Sequence, residues 1–339
     1  MPNFDLVLRN CNLINENSIS QVDIAIKDKR IEKISSSISE KANKEIDVKP
    51  GTYEKRILIS GMGGSGIGGR IIETLSHYEA IGEIVAWNNY GLPSWIKPED
   101  TIICISYSGN TAETLSAAKE AQKIGCNIEI ITTGGKLGNL AEKNSWDKIV
   151  VEEGHQPRAA LPLLLKPLLH KLNLPNLEEI IDDISKQKYE ETKNKRIAAD
   201  IFSKIPCIYT EPVLEPVGYR WRCQIQENAK QLAFHHVIPE MNHNEIVGWT
   251  NSNPNMIPIL IRKNNEKNEI RNRFEALKNT AWRNIEVIEI FARCNTHLAE
   301  ILETIYIGDM VSIELAKLND VDPTPVKVIE SLKKELGGK

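Results

Sequence analysis

From Arg56 onward the chain alternates short apolar runs with longer amphipathic ones, a rhythm that restricts it to strands alternating with helices around mostly parallel sheet. ILIS (57–60) is followed by a glycine-rich turn and the helical GGRIIETLSHY (68–78). EIVAW (83–87) and TIICISY (101–107) are the next strands, and the second ends in Ser-Gly-Asn before the helix TAETLSAAKEAQKIG (111–125). NIEIITT and KIVVEE continue the series, and PRAALPLLLKPLLHKL (157–172) closes it as a long, strongly apolar helix. After a polar stretch from about Asn173 the alternation resumes. IPCIYT, MIPILIRK and IEVIEIFA read as strands, whereas GYRWRCQIQENAKQLAF, HLAEILETIYIGDMVSIELAKL and VIESLKKEL read as helices.

The expected fold class is therefore α/β, with two lobes, each a mostly parallel sheet flanked by helices. The boundaries read from the pattern are 51–172 for the first lobe, 173–198 for a helical linker and 199–339 for the second lobe. Residues 1–50 differ. DLVLRN, CNLI, DIAIK and RIEKIS are short, partly alternating segments divided by polar turns, which predicts a small antiparallel β-rich extension.

Composition excludes several partners. The 339 residues carry a net charge of −4, which gives no broad attraction to nucleic acid or an anionic membrane. No apolar run reaches the roughly 20 residues that span a bilayer. The opening MPNFDLVLRN lacks the basic-then-apolar layout of a secretory leader, so a cytoplasmic location is expected. Six scattered cysteines form no CxxC pair, and several lie in apolar stretches, which predicts buried reduced thiols rather than a zinc ribbon or disulfide scaffold.

Two turns carry the chemistry. Gly61-Met62-Gly63-Gly64-Ser65-Gly66 satisfies GxGxxG between a strand and a helix, where a backbone can approach a phosphate. A dinucleotide site would also place an acid about 20 residues later to hold the ribose. Trp87-Asn88-Asn89-Tyr90 stands there instead, which argues against a nucleotide cofactor. A turn that binds nothing is the plain alternative. Six glycines within residues 61–69 make that costly in chain entropy.

The second turn is Ser106-Tyr107-Ser108-Gly109-Asn110-Thr111. Its hydroxyls, amides and helix start gather without Lys or Arg, which suits a phosphomonoester held by neutral donors. Helix capping by Ser108 or Asn110, with Glu113 in the first helical turn, explains only part of it. Two anion-ready turns in one sheet point to a single phosphate site.

GMGGSGIGG together with SYSGNTAETL resembles a sugar isomerase (SIS) domain. PRAAL, QENAK and PEMNHNEIVGW, in that order, narrow the resemblance to the bifunctional phosphoglucose/phosphomannose isomerase family over roughly residues 55–339. The resemblance implies two SIS subdomains and a homodimer with shared active sites. It also implies interconversion of glucose 6-phosphate, mannose 6-phosphate and fructose 6-phosphate, with neither cofactor nor metal. It assigns Gly64 and Ser65 to substrate contact and Ser106, Ser108 and Thr111 to the phosphate. Arg158 falls near the developing enediolate, Glu227 at the catalytic base and His243 at ring opening. Lys333 assists ring opening, with Lys334 as the neighbouring candidate.

Elementary chemistry tests these assignments one at a time. Moving a proton between C1 and C2 needs a base and a cation facing the enediolate. Glu227 alone would read as a solvated helix glutamate, and Lys333 as part of a charged face; their motifs raise them. Arg158 beside an apolar helix start opposes the helix dipole, which suggests an anionic partner rather than a surface pair with Glu152 or Glu153. His243 lies in a polar loop, a common place for a titrating group at work. His235 and His236 read as packed or hydrogen-bonded, because HHx6H matches no zinc spacing.

Residues 1–50 depart from this family and resemble the N-terminal segment of dihydroorotase-type amidohydrolases. The HxH metal motif of those enzymes is absent from the chain. The alternatives to an enzyme are a non-catalytic SIS module that senses a sugar phosphate and, in a third class, an NAD-dependent oxidoreductase.

Overall fold

The computed structural model describes residues 2–15, 18–47, 56–187, 191–251 and 255–337. The chain divides into two compact units, 1–56 and 57–339.

The first unit is one four-stranded sheet built from β1 (Phe4–Asn15), β2 (Ser18–Lys27), β3 (Arg30–Ser35) and β4 (Ala42–Asp47), in the order β3-β2-β1-β4. Asp28 and Lys29, both at positive φ, close the β2–β3 hairpin in two residues, the turn whose twist suits antiparallel strands. The sheet is not wholly antiparallel as expected. The chain crosses after β3 to the far edge, and β4 pairs parallel with β1. Ile38, buried in that crossover with Phe4, Val7 and Ala25, anchors the return. The Asp23 carboxylate accepts from the Asn10 and Ile38 amides and from Arg9, which holds it below the usual carboxylate range.

The second unit begins with a five-stranded, all-parallel sheet. Its elements run β5 (Ile57–Ser60), α1 (Gly63–Ser76), β6 (Ile84–Trp87), β7 (Thr101–Ser106), α2 (Ala112–Ile124), β8 (Asn127–Thr132), α3 (Gly135–Asn144) and β9 (Asp147–Val150). Three helices follow: α4 (Leu161–Lys171), α5 (Leu177–Ser185) and α6 (Glu191–Ile201). A four-stranded parallel sheet is then built from β10 (Ile205–Thr210), β11 (Phe234–Val237), β12 (Met256–Lys263) and β13 (Ile288–Ala292). Its helices are α7 (Glu215–Ala229), α8 (Asn268–Asn279), α9 (His297–Leu318) and α10 (Lys327–Glu335).

Period-two alternation sorts the strand residues into cores. Leu58, Ile102, Cys104 and Ile130 face α2 and α3, while Ile59, Ile103, Ile105 and Ile131 face the central helices. In the second sheet Ile208, Ile259 and Ile261 enter that same central core. Tyr209 and Leu260 point the other way, toward Trp249, Phe274 and Trp282. Helices α1, α4, α6, α7 and α9 therefore lie between two sheets that both feed one core. Burial on both faces explains why these strands read as nearly continuous apolar runs. Leu177, Ile180, Ile197 and Ala198, from the polar stretch read as a linker, are buried in that core too.

The sheet order places the two chemistry-bearing turns. The first sheet runs β6-β5-β7-β8-β9, so the chain leaves β5 toward one edge and returns on its other side as β7. The carboxyl ends of β5 and β7 flank this reversal, the usual ligand crevice of open α/β sheets. The glycine-rich turn follows β5 and the serine-rich turn follows β7.

Candidate active site

The glycine-rich segment is shorter as a turn, and longer as a helix, than its sequence suggests. Only Gly61 and Met62 lie outside regular structure, and α1 starts at Gly63, five residues before the expected helix. The glycines serve close approach within the first helical turns. A Cβ on Gly64 would lie 2.5 Å from the Pro157 carbonyl oxygen and 2.7 Å from the Arg158 nitrogen. A Cβ on Gly66 would lie 2.7 Å from the Gly61 carbonyl oxygen. Gly64 thus seats the backbone of the arginine loop directly on the helix start.

The serine-rich turn joins the glycine turn through a hydrogen bond. The Tyr107 amide donates to Ser65 Oγ at 3.0 Å, and Ser65 is itself buried. Ser106 Oγ and Thr111 Oγ1 lie 2.9 Å apart. Thr111 occupies the N-cap of α2, yet its side chain does not cap the helix. Ser108 Oγ accepts from the Asn110 amide at 3.3 Å, and Asn110 Oδ1 accepts from the Lys136 amide at 3.2 Å. The capping roles considered for Ser108 and Asn110 are therefore not taken up. Both α1 and α2 begin without a side-chain cap, which leaves first-turn N–H groups for an anion. Gly109 at positive φ packs against Gly134, where a Cβ would collide at 1.8 Å.

Residues 152–158 are held from both turns. Tyr107 donates its hydroxyl to the Glu152 carbonyl at 3.0 Å and accepts from the His155 amide at 2.9 Å. Gly64 supports the next residues, and Arg158 follows in a turn just before α4 rather than on the helix. The Arg158 side chain is buried. Its Nε donates to Asn228 Oδ1 at 2.8 Å, and its Nη2 donates to the carbonyls of Pro323 at 2.6 Å and Thr324 at 2.9 Å. Nη1 makes only longer contacts, 3.5 Å to Gln156 Oε1 and 3.7 Å to Glu227 Oε2.

Glu227 stands near the carboxyl end of α7, which Lys230 terminates in a left-handed conformation. Its side chain is 28% exposed, between core and solvent. Lys230 Nζ donates to the carbonyls of Glu227 at 2.5 Å and Pro323 at 3.2 Å. Partial burial, then the charge of Arg158, lower the Lys230 ammonium below its ordinary range. Gly63, Gly64, Ile67, Arg158, Tyr219 and Glu227 are among the walls of one narrow crevice of about 20 Å³. A wider, mainly apolar groove of about 880 Å³ shares Glu227 and Cys223 with it and runs along residues 321–329, into the first turn of α10.

The structure thus brings Gly64, Arg158 and Glu227 together and links Ser65 to the turn bearing Ser106, Ser108 and Thr111. His243 and Lys333 lie elsewhere. His243 ends a short 3-10 turn, is exposed and lines neither cavity. Lys333 sits on α10, a helix with no buried residue, and also lines neither cavity. His235 packs edge-on against Tyr219 with Nε2 3.4 Å from Glu215, and His236 Nδ1 lies 2.8 Å from Glu245. Among the described residues no three His, Cys, Asp or Glu side chains are placed to share a metal ion. No described helix is long and apolar enough to cross a membrane.

Some contributors were not singled out from the sequence. Arg220, Gln224 and Asn228 form a buried polar stripe at four-residue spacing on α7, facing Asp309 and Ser312 on α9. The spacing itself was the available sign, since three large polar side chains on one buried helix face require partners.

The profile of the bacterial phospho-glucose isomerase C-terminal SIS domain matches residues 190–336. The chain is 37% identical over 316 residues to a bifunctional phosphoglucose/phosphomannose isomerase of Caldicellulosiruptor bescii, covering 87% of this chain and 93% of that one. It is 34% identical over 215 residues to a D-glucosamine-6-phosphate 4-epimerase of Sulfolobus acidocaldarius, covering 61% and 68%. A glucose-6-phosphate isomerase like protein from Thermus thermophilus shares the fold, with a TM-score of 0.56 at 17% identity over 82% of this chain and 86% of that one. By its similarity to curated members along most of its length, this chain belongs to the bifunctional phosphoglucose/phosphomannose isomerase family.

Proposed function

We propose that the chain interconverts glucose 6-phosphate and mannose 6-phosphate with fructose 6-phosphate through a cis-enediol. The observation that carries this reading is the placement of a buried cation and a half-exposed carboxylate, Arg158 and Glu227, in one crevice with the glycine-rich turn.

In this reading the phosphate docks at Ser106, Ser108 and Thr111, with Gly64 and Ser65 beside it. Glu227 takes the C2 proton of the open-chain aldose and returns it to C1, while a proton passes from O2 to O1. Nη1 of Arg158 faces the oxygen charge of the enediolate. C2 is planar in the enediol, so both aldose epimers converge on one intermediate. His243 and Lys333 open the sugar ring. Neither lines the crevice of its own chain, which supports a homodimer in which a second copy supplies His243. Residues 51–172 and 199–339 serve as the two SIS subdomains, joined through 173–198. Six unpaired cysteines support a reducing, cytoplasmic setting.

A coupled assay with each aldose phosphate supplied separately, in the presence of EDTA, tests the proposal. Fructose 6-phosphate forms from both. Binding of both without turnover would instead favour a sugar-phosphate sensor, and inversion at C4 would favour epimerase chemistry.

A further inference from the structure

We infer that Asn228 is a positioning residue that keeps Arg158 and Glu227 side by side without letting them close on each other. The inference rests on the isomerase reading of this crevice and adds a role that the catalytic assignments do not contain.

Three of the Arg158 hydrogen bonds go to groups other than the Glu227 carboxylate. Nη2 is fixed by the two backbone carbonyls of Pro323 and Thr324, and Nε is fixed by Asn228 Oδ1. With Nη2 alone as an anchor, the planar guanidinium could pivot about it and swing Nη1 the short distance to Glu227 Oε2. That motion would shorten the 3.7 Å ion pair to a direct hydrogen bond and engage the base and the enediolate donor with each other. The Asn228 contact is the second anchor that blocks the pivot.

Asn228 is itself braced. It is buried, and its Nδ2 donates to Ser312 Oγ at 2.9 Å, which fixes the amide so that the oxygen faces Arg158. Ser312 Oγ donates in turn to the Asp309 carbonyl at 2.7 Å. Asp309 also takes two bonds from Arg220, at 3.0 and 2.6 Å, and Arg220 Nη2 donates to the Arg158 carbonyl at 2.8 Å. Arg158 is therefore gripped at its side chain through Asn228 and at its backbone through Arg220, and both grips lead to one turn of α9. Helices α7 and α9 meet closely enough for this because residue 308 is glycine. A Cβ there would lie 2.2 Å from Trp221 Nε1. Adjacent positions on α7 thus divide the work, with Glu227 for the proton and Asn228 for the cation.

The test compares Asn228→Leu, which keeps the branched side-chain shape and loses both hydrogen bonds, with Asn228→Asp, which keeps an oxygen acceptor for Nε. Two probes are used besides turnover: a hexitol 6-phosphate, which lacks enediolate charge, and a five-carbon aldonate 5-phosphate, whose carboxylate mimics it. We expect kcat of Asn228→Leu to fall about 10- to 100-fold with KM within about threefold, as for removal of a residue that orients a catalytic group. Aldonate phosphate binding weakens by about tenfold or more, hexitol phosphate binding stays, and Asn228→Asp recovers much of the loss. Unchanged kcat in Asn228→Leu would overturn the assignment. Parallel loss of hexitol phosphate binding would also overturn it, because that pattern marks general damage to the fold. A wild-type chain that binds both probes but turns over neither aldose phosphate would overturn the isomerase reading, and this role with it.

Discussion

Arg158 Nη1 lies 3.7 Å from Glu227 Oε2, beyond hydrogen-bond distance yet well inside the range of strong charge interaction. The remaining donors of the guanidinium are spent on Asn228 and on two backbone carbonyls. In the proposed mechanism, the carboxylate that collects a proton and the cation that meets an oxyanion are thus held together but not consumed. Preorganisation of this kind avoids reorganisation when charge develops.

Gly64 seats the arginine loop against the glycine-rich turn, so Gly64→Ala should remove activity with little loss of folding. Its Cβ would meet the Pro157 carbonyl at 2.5 Å, where only backbone can yield, and Arg158 would shift. A displacement of that order costs on the order of 100-fold in turnover. Steady-state kinetics together with circular dichroism check this, and an active, folded Gly64→Ala chain would contradict it.

The thiols divide by exposure. Burial pushes Cys104, Cys207 and Cys294 up to about 12, and Cys11 is buried as well. Cys126 and Cys223 are half-exposed. A charged thiol reagent should therefore modify Cys126 and Cys223 in the native protein and all six after denaturation. Cys223 lines the crevice one helical turn before Glu227, so saturating fructose 6-phosphate should protect it. Peptide mapping by mass spectrometry reads both results. Rapid native modification of Cys104 or Cys207 would contradict the packing.

Glu211 gives a pH prediction. Burial raises its carboxyl above the usual range; Glu266 and Glu300 add to this, and Lys263 opposes it. A folded-state value above the unfolded one means that ionisation costs stability. The cost is absent below the unfolded value and appears as pH rises through the folded one. Glu211→Gln should therefore unfold at a higher temperature than wild type near pH 7.5, with the gain shrinking toward pH 4.5. Thermal unfolding across that range measures it, and a lower midpoint near pH 7.5 would show that the Lys263 pair outweighs burial.

Much of the fold is legible in the sequence because strands buried on both faces leave long apolar runs, and helices between them leave period-3.6 patterns. ILIS, TIICISY and MIPILIRK are clear for that reason. FHHV (234–237) is not, since two histidines and a half-exposed pattern hide a short edge strand. The parallel β4 is equally hidden, because pairing direction depends on a crossover that no local signal records. At the site, Gly64 and Glu227 stand in motifs that name them. Asn228 is overshadowed by the glutamate beside it, and its meaning depends on α9, about 80 residues away in sequence. The glycine run looks like a loop because glycine disfavours helices, yet here the need for close contact with Pro157 and Gly61 overrides that preference.

The most direct measurement follows the transferred hydrogen. Incubating fructose 6-phosphate with the wild-type chain in deuterated water should place deuterium at C2 of the aldose products, because a carboxylate base exchanges with solvent during the enediol's lifetime. Glu227→Gln should bind fructose 6-phosphate with near-wild-type affinity and incorporate none. Deuterium incorporation by Glu227→Gln at a rate close to wild type would contradict the account, since another group would then be moving the proton.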